Sequence, residues 1–154
     1  MKIARIGENE FPDAMELVWR VFLKYNAPSY SAEGIHNFKK FLGDEKLYEL
    51  FCNGDYVIFA CFDEDTICGV ISLRNESHIS LLFVKDEYQG TGVATALFSH
   101  LCSYCRSRGE TDFITVNSSP YAVEYYRQLG FEPTDLMQTS DGITYTPMRY
   151  ELLS

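Results

Sequence analysis

The sequence predicts a mixed α/β fold of the α+β type, in which about four helices flank a central, twisted, mostly antiparallel sheet of about seven strands. Three observations predict this fold. The chain has 154 residues, 46% of them hydrophobic, which suits a single domain over residues 1–154 with a substantial core. Three short β-branched and aromatic runs over residues 56–84 predict a strand meander. A long helix and another strand follow, and this β-α-β crossover makes its two strands parallel, with a right-handed connection.

The N-terminal third predicts one strand followed by helices. Lys2–Ile6 has the length of a short strand. Two apolar stripes at helical spacing then predict two amphipathic helices, separated by Asn26–Ser29. The stripes consist of Ala14, Leu17, Val18, Val21, Phe22 and Tyr25 in the first helix and Ile35, Phe38, Phe41 and Leu42 in the second. Leu47–Phe51 is expected to add a helical turn.

The middle of the chain predicts the meander and the crossover. The meander strands are expected at Tyr56–Phe62, Ile67–Leu73 and His78–Val84, with polar turns between them. The crossover helix has an apolar face that starts at Val93, and Gly109 ends it. Phe113–Val116 is the strand that completes the crossover.

The C-terminal part predicts a short helix and a closing pair of strands. Ser119 is a natural N-cap with Pro120 at the first helical position, and Gly130 ends that helix. Phe131–Gln138 and Ile143–Glu151 are expected to pair antiparallel. This pair is a plausible edge for a homodimer.

Charge and cysteine content restrict the class of partner. The net charge of −9 makes attraction to nucleic acid or to an anionic membrane surface unfavourable. The same charge favours a cationic acceptor, or it serves solubility alone. The five cysteines, with no signal peptide before them, fit reduced thiols in the cytoplasm. Cys102 and Cys105 form a C-x-x-C inside a helix pattern with no second pair, so we expect no metal site.

The segment Gln89–Ala94 (Gln89, Gly90, Thr91, Gly92, Val93 and Ala94) is the strongest chemical signal. It lies between a strand and a helix, and its two glycines allow the backbone to approach a ligand closely. Free N–H groups at the helix start favour an anion such as a phosphate group. No Gly-Lys-Ser/Thr follows, which excludes a P-loop, and a preceding meander with Thr95 at the third glycine position disfavours a dinucleotide site.

Two motifs together resemble the GCN5-related N-acetyltransferase (GNAT) family. Gln89-x-x-Gly92-x-Ala94 is similar to the family's Gln/Arg-x-x-Gly-x-Gly/Ala motif. Downstream, a set of residues at the family's spacing resembles its Asn-x(4)-Ala-x(3)-Tyr-x(3)-Gly-Phe signature. That set is Asn117, Ala122, Tyr126, Gly130 and Phe131. The resemblance covers nearly the whole chain in element order and is sharpest over residues 78–131.

The resemblance implies a GNAT-type fold and acetyl-coenzyme A as co-substrate, with no metal. It implies that Gln89–Ala94 binds the pyrophosphate of the cofactor. It also implies that the backbone of Phe83 and Val84 bonds the pantetheine arm, with the Val84 N–H facing the thioester carbonyl. The Asn117 side chain would bond the same arm, although a plain turn role at the strand end is an alternative.

The implied reaction is attack of an amine on the thioester, which needs a base and benefits from an acid. Tyr126 matches the family's conserved tyrosine and is the candidate acid, with a buried aromatic as the alternative. His78, 11 residues before Gln89, is the candidate base, with a surface histidine as the alternative. Glu76 is a second choice, and a water chain is a third.

The acceptor is an amine of a small molecule, peptide or protein. Trp19, Tyr25 and Tyr30 either line its pocket or pack the first two helices together. The sequence therefore predicts an N-acetyltransferase. The alternative is a non-catalytic acyl-coenzyme A-binding sensor, which would need the glycine segment but neither a base nor an acid.

Overall fold

The computed structural model describes residues 1–152, which form eight strands and five helices. The strands are β1 (Lys2–Arg5), β2 (Tyr56–Asp63), β3 (Thr66–Arg74), β4 (His78–Val84), β5 (Phe113–Ser118), β6 (Glu132–Pro133), β7 (Gln138–Ser140) and β8 (Ile143–Glu151). The helices are α1 (Phe11–Tyr25), α2 (Ala32–Leu42), α3 (Glu45–Asn53), α4 (Val93–Arg108) and α5 (Val123–Leu129).

One sheet runs through the molecule in the order β1-β2-β3-β4-β5-β8-β6, and β7 pairs with β8 beside β6. Every pairing is antiparallel except that of β4 with β5, which is parallel. Helix α4 makes the crossover between these two strands. The predicted mixed, mostly antiparallel sheet with one parallel crossover is therefore confirmed.

The sheet separates two hydrophobic cores. On one face, the apolar side of α1 packs on β3 and β4, and α2 and α3 complete that core around the fully buried Phe22. On the other face, α4 covers β2 and β3 around Leu97 and Leu101, and Phe131 lies beside it. Gly69 on β3 permits this contact, because a Cβ there would lie 2.9 Å from Val93 Cγ1 at the start of α4.

The parallel pair opens soon after it begins. Only His78 with Thr115 and Ile79 with Val116 are paired, so β4 runs on from Ser80 to Val84 without β5 beside it. The register of β3 with β4 shifts at the same place, which leaves Ser80 as an extra residue in β4. The buried Tyr56 hydroxyl bonds both Ser72 Oγ at 2.8 Å and Ser80 Oγ at 2.9 Å. These bonds hold the bulge, and a β-bulge bends its strand away from the regular path.

Three local predictions differ from the structure. The strand expected at Phe131–Gln138 is two short strands, β6 and β7, because Thr134–Met137 leaves the sheet and exposes Leu136. Ser119 makes no side-chain cap, and Pro120 starts a 3-10 turn before α5. The expected extra turn at Leu47–Phe51 is a separate helix, α3, capped by the Asp44 side chain on the Lys46 N–H at 2.8 Å.

The five cysteines are free thiols, and Cys102 and Cys105 are buried in α4 as the helix pattern predicts. Within residues 1–152, none of the helices has the length and apolar content needed to cross a membrane.

Candidate active site

A cleft of about 510 Å³ lies beside the part of β4 that β5 does not pair. Its lining comes from four places: one residue of α1, the second half of β4, the turn and first residues of α4, and the segment around α5. The lining residues are Val21, Leu82, Phe83, Val84, Tyr88, Gln89, Gly90, Gly92, Val93, Ala94, Thr95, Tyr121, Ala122, Tyr125 and Tyr126. A second groove of about 560 Å³ lies between α1, the start of β3 and the residues just after β4, and it is lined largely by charged side chains. The cleft, and not this groove, contains the predicted glycine segment.

The glycine segment is a tight turn followed by an open helix start. Gln89 has φ −68° and ψ 142° and Gly90 has φ +76°, as in a type II turn, and the Thr91 N–H closes it on the Tyr88 carbonyl at 3.3 Å. Gly92 is also left-handed, with φ +89°, and it precedes α4 directly. A Cβ added at Gly90 or Gly92 would meet no protein atom within 4 Å. The glycines are therefore required by backbone conformation, and the space beside them is open.

The helix start in this cleft presents unused hydrogen-bond donors. The first helical bond runs from the Ala96 N–H to the Gly92 carbonyl at 3.0 Å. The N–H groups of Val93, Ala94 and Thr95 consequently have no helical acceptor. Together with the helix dipole, they suit an anion. The Gln89 side chain turns inward instead, since its Nε2 donates to the Val84 carbonyl at 3.0 Å and ties the turn to the end of β4.

Tyr126 lies at the cleft wall with its ring in the core. Its ring contacts Phe131 at 5.3 Å and Tyr125 at 5.8 Å between centroids, and only 6% of the residue is exposed. Burial raises the pKa of its hydroxyl far above the ordinary value, with a smaller contribution from Tyr121. No hydrogen bond within residues 1–152 engages this hydroxyl. Tyr126 thus brings a protonated donor to the cleft.

Three other tyrosines line the cleft and were not predicted as site residues. Tyr125, expected in the core, lines the cleft and bonds Thr95 Oγ1 through its hydroxyl at 3.1 Å. Tyr121, expected in an apolar stripe, is 56% exposed. Tyr88 precedes Gln89 directly. Its position next to the glycine segment was the one signal in the sequence that could have identified Tyr88 as a site residue.

His78 lies at the first residue of β4, away from the lining of the cleft. Its Nδ1 is 2.9 Å from Thr115 Oγ1 on β5. Burial lowers the pKa of the imidazole, and the charge of Arg74 lowers it further. At about 3.3 Å per residue, His78 lies about 13 Å along β4 from Leu82, so direct contact with a group in the cleft is excluded. The structure therefore does not bring the two predicted catalytic residues together.

Two other predicted residues are also outside the cleft. Asn117 is exposed near the end of β5, pairs with Pro147 and is not among the residues that line the cleft. Glu76 lies in the turn before β4 with φ +69°. A hydrogen bond to Glu110 raises the pKa of its carboxyl, which faces the far end of the molecule from the glycine turn.

Of the three aromatic residues expected either to line an acceptor pocket or to pack the first two helices together, two pack the helices and one lies near the cleft. Trp19 stacks on Phe22 at 5.6 Å, and Tyr30 meets the same ring edge-on at 4.9 Å, so both pack the helix pair. Tyr25 instead reaches across to Tyr121, with ring centroids 6.2 Å apart. Its hydroxyl donates to Asp86, which also binds Lys24 Nζ. Tyr25 is thus the member of this group that borders the cleft.

In the part of the chain that the structure describes, no group of three or more His, Cys, Asp or Glu side chains is arranged to hold a metal ion. The cleft itself presents backbone N–H groups and tyrosine side chains, among them Tyr126 with its free hydroxyl. This set of donors suits a phosphate-containing ligand with an apolar arm.

Comparison with known proteins agrees with this fold. Residues 26–152 match the Acetyltransferase (GNAT) domain, and the chain belongs to that family, which confirms the resemblance seen in the sequence. A relative from Methanocaldococcus jannaschii, described as an uncharacterized N-acetyltransferase, is 22% identical over 142 residues. The match covers 88% of this chain but 62% of the relative, so the chain spans less than two thirds of that protein.

Solved structures share the fold at low sequence identity. A GCN5-related N-acetyltransferase from Rhodopseudomonas palustris superposes with a TM-score of 0.83 at 20% identity, covering 97% of this chain and 94% of that chain. The PaiA N-acetyltransferase from Thermoplasma acidophilum, in complex with coenzyme A, superposes with a TM-score of 0.77 at 17% identity, covering 97% and 98%. These likenesses establish the fold, while the chemistry rests on the residues of the cleft.

Proposed function

We propose that this protein is an acetyl-coenzyme A-dependent N-acetyltransferase, in which an amine attacks the thioester directly in a ternary complex. One observation carries the proposal. The glycine turn, the open start of α4, the unpaired part of β4 and Tyr126 with its free hydroxyl all line one cleft. An anion site, apolar side chains and a proton donor are thus gathered in one cleft, as a phosphate-bearing thioester requires.

The cofactor would lie in this cleft. Its pyrophosphate would lie against the turn at Thr91 and accept hydrogen bonds from the N–H groups of Gly90, Gly92 and the first residues of α4, Val93 and Ala94. Its pantetheine arm would follow the unpaired edge of β4 at Phe83 and Val84, replacing the strand that β5 no longer supplies. The PaiA relative was solved with coenzyme A, and this supports the choice of cofactor.

The chemistry follows from the groups in the cleft. The amine nitrogen forms a bond to the thioester carbon, and the electron pair of the carbonyl moves to its oxygen. A backbone N–H on the free edge of β4 stabilises that oxyanion. Collapse breaks the carbon–sulfur bond, and the Tyr126 hydroxyl donates a hydrogen bond to the leaving thiolate. The products of this step are the acetylated amine, the coenzyme A thiolate and the proton lost by the amine, and the thiolate then takes up one proton from solvent.

His78 can take that proton only through ordered water, because it lies too far from the cleft for direct contact. It is in the right state to do so. Its lowered pKa leaves the imidazole neutral at pH 7, and within residues 1–152 its Nε2 has no hydrogen-bond partner when Nδ1–H donates to Thr115.

This role predicts a pH dependence. The imidazole accepts a proton only when neutral, so kcat/KM calculated for the concentration of neutral amine should be at its plateau above pH 6.5 and fall as the pH drops through the lowered pKa of His78. In the His78→Gln variant, which keeps a group able to bond Thr115, the plateau should fall about 10-fold or more and the acid limb due to His78 should vanish. An unchanged profile in this variant would exclude His78 as the base.

The acceptor would approach the cleft from the side that Tyr25 borders, where its ring stacks on Tyr121. The net charge of −9 draws a cationic amine toward the molecule, and the tyrosine faces suit an ammonium group.

The free thiols are consistent with a reducing cytoplasm. The alternative of a non-catalytic binding module gives no reason for the unpaired Tyr126 hydroxyl at the end of the cleft.

Thermal unfolding with and without acetyl-coenzyme A tests the proposal. At 100 times its dissociation constant, a ligand adds about 2.7 kcal/mol to the free energy of unfolding, which raises Tm by about 5 to 10 °C for a domain of this size. ATP at the same concentration is the control and should give a much smaller shift. Equal shifts for the two nucleotides, or none with acetyl-coenzyme A, would contradict the proposed cofactor.

A further inference from the structure

A carboxylate outside every motif holds the glycine turn in place. Asp63 is the last residue of β2, and its Oδ2 accepts a hydrogen bond from the Tyr88 hydroxyl at 2.6 Å. Asp63 does not line the cleft, whereas Tyr88 does. The hydroxyl of Tyr88 therefore points away from the cleft, toward the β2–β3 hairpin, while its backbone starts the turn.

Hydrogen bonds connect Tyr88 to the residues of the turn that face the ligand. Its carbonyl accepts bonds from both the N–H and the side-chain hydroxyl of Thr91, so the Tyr88–Thr91 turn is fixed at its first residue. The Tyr88 N–H in turn donates to the Lys85 carbonyl at 2.9 Å, and the Lys85 N–H donates to the Cys68 carbonyl at 2.8 Å. A continuous hydrogen-bonded path thus connects the β2–β3 hairpin to Gly90 and Gly92.

We propose that Asp63 is a positioning residue for the pyrophosphate-binding turn, acting through Tyr88. This inference rests on the proposed function, because it assumes that the turn binds the pyrophosphate of coenzyme A. A rigid turn has its N–H groups aimed before the ligand arrives, and such preorganisation improves affinity by reducing the ordering that binding requires. The hydrogen bond from Tyr88 to Asp63 also explains why the pKa of Tyr88 is raised to about 12.

The test compares two ligands that share one arm. Coenzyme A carries the pyrophosphate, and pantetheine is the same arm without it. By calorimetry, Asp63→Ala should weaken binding of coenzyme A roughly 10-fold, as expected for a loss of about one charge-assisted hydrogen bond, while binding of pantetheine stays within about 2-fold. Tyr88→Phe breaks the same bond from the other side and should give the same pattern. Asp63→Asn keeps an acceptor oxygen and should restore most of the affinity.

Asp65→Ala is the matched control. Asp65 lies in the same hairpin turn, is exposed, and within residues 1–152 makes no hydrogen bond to Tyr88. Its removal should leave both affinities unchanged. If Asp63→Ala loses structure, as its Tm would reveal, Tyr88→Phe alone decides.

Two results would overturn the positioning role: unchanged coenzyme A binding in Tyr88→Phe, or equal losses for coenzyme A and pantetheine. A wild-type protein that binds the two ligands equally would instead show that the turn is no pyrophosphate site. That result would overturn the proposed function and this inference with it.

Discussion

Replacing Gly92 with alanine should lower the affinity for coenzyme A at least about 100-fold, because it displaces two or more charge-assisted hydrogen bonds worth about 1.5–3 kcal/mol each. Gly92 has φ +89° and lines the cleft, and the space where its Cβ would stand is free of protein atoms. The added methyl group would occupy the position that a pyrophosphate needs to reach the N–H groups of α4. Calorimetric titration with coenzyme A measures the loss.

Gly92→Ala should also lower the free energy of unfolding, and a second glycine of α4 provides the control for this loss of stability. A non-glycine residue in the left-handed region costs about 1–2 kcal/mol. Gly109, at the other end of α4, has φ +66° and equally open space around it. Gly109→Ala should therefore lower Tm by a similar few degrees and leave coenzyme A binding intact. Equal affinity in the Gly92→Ala and Gly109→Ala variants would show that the glycine turn does not hold the pyrophosphate.

The sequence predicted this turn well because its signals are local. Two glycines between a strand and a helix were expected to permit a close backbone approach, and the structure gives a positive φ, which glycine tolerates, at both Gly90 and Gly92. The bounds of β4, His78–Val84, were predicted to the residue. Periodicity within a single segment specifies such features without reference to the rest of the chain.

The composition of the cleft wall was less predictable, since it depends on how far apart two strands lie. His78 opens β4 as expected, but the pairing with β5 ends at Ile79 and the cleft begins beyond it. Tyr125 and Tyr126 are adjacent on one helix, and their burial depends on where that helix sits over the gap. The strand expected at Phe131–Gln138 failed for a related reason, because the Thr134 N–H bonds the Pro147 carbonyl and the chain then leaves the sheet.

Tyr126→Phe should lower kcat about 10- to 100-fold with little change in the KM for acetyl-coenzyme A. A phenol with a raised pKa does not transfer its proton fully to a thiolate, whose conjugate acid has a pKa of about 8.5. It can stabilise the thiolate by a hydrogen bond, and the burial that raises its pKa keeps it protonated throughout the working pH range. The expected loss in kcat is therefore at or below the lower end of the range of about 10²- to 10⁴-fold that general acid–base catalysis contributes. Steady-state release of free thiol at saturating acetyl-coenzyme A measures it.

The free protein should be unaffected by this change, which separates catalysis from folding. The Tyr126 ring retains its contacts with Phe131 and Tyr125, and its hydroxyl has no partner within residues 1–152 to lose. Tyr150→Phe is the matched control, because Tyr150 packs on the same Phe131 at 5.4 Å but does not line the cleft. Both variants should unfold at the wild-type Tm, and only Tyr126→Phe should be slow. A Tyr126→Phe enzyme with a kcat like that of Tyr150→Phe would mean that the leaving thiolate is stabilised by some other group.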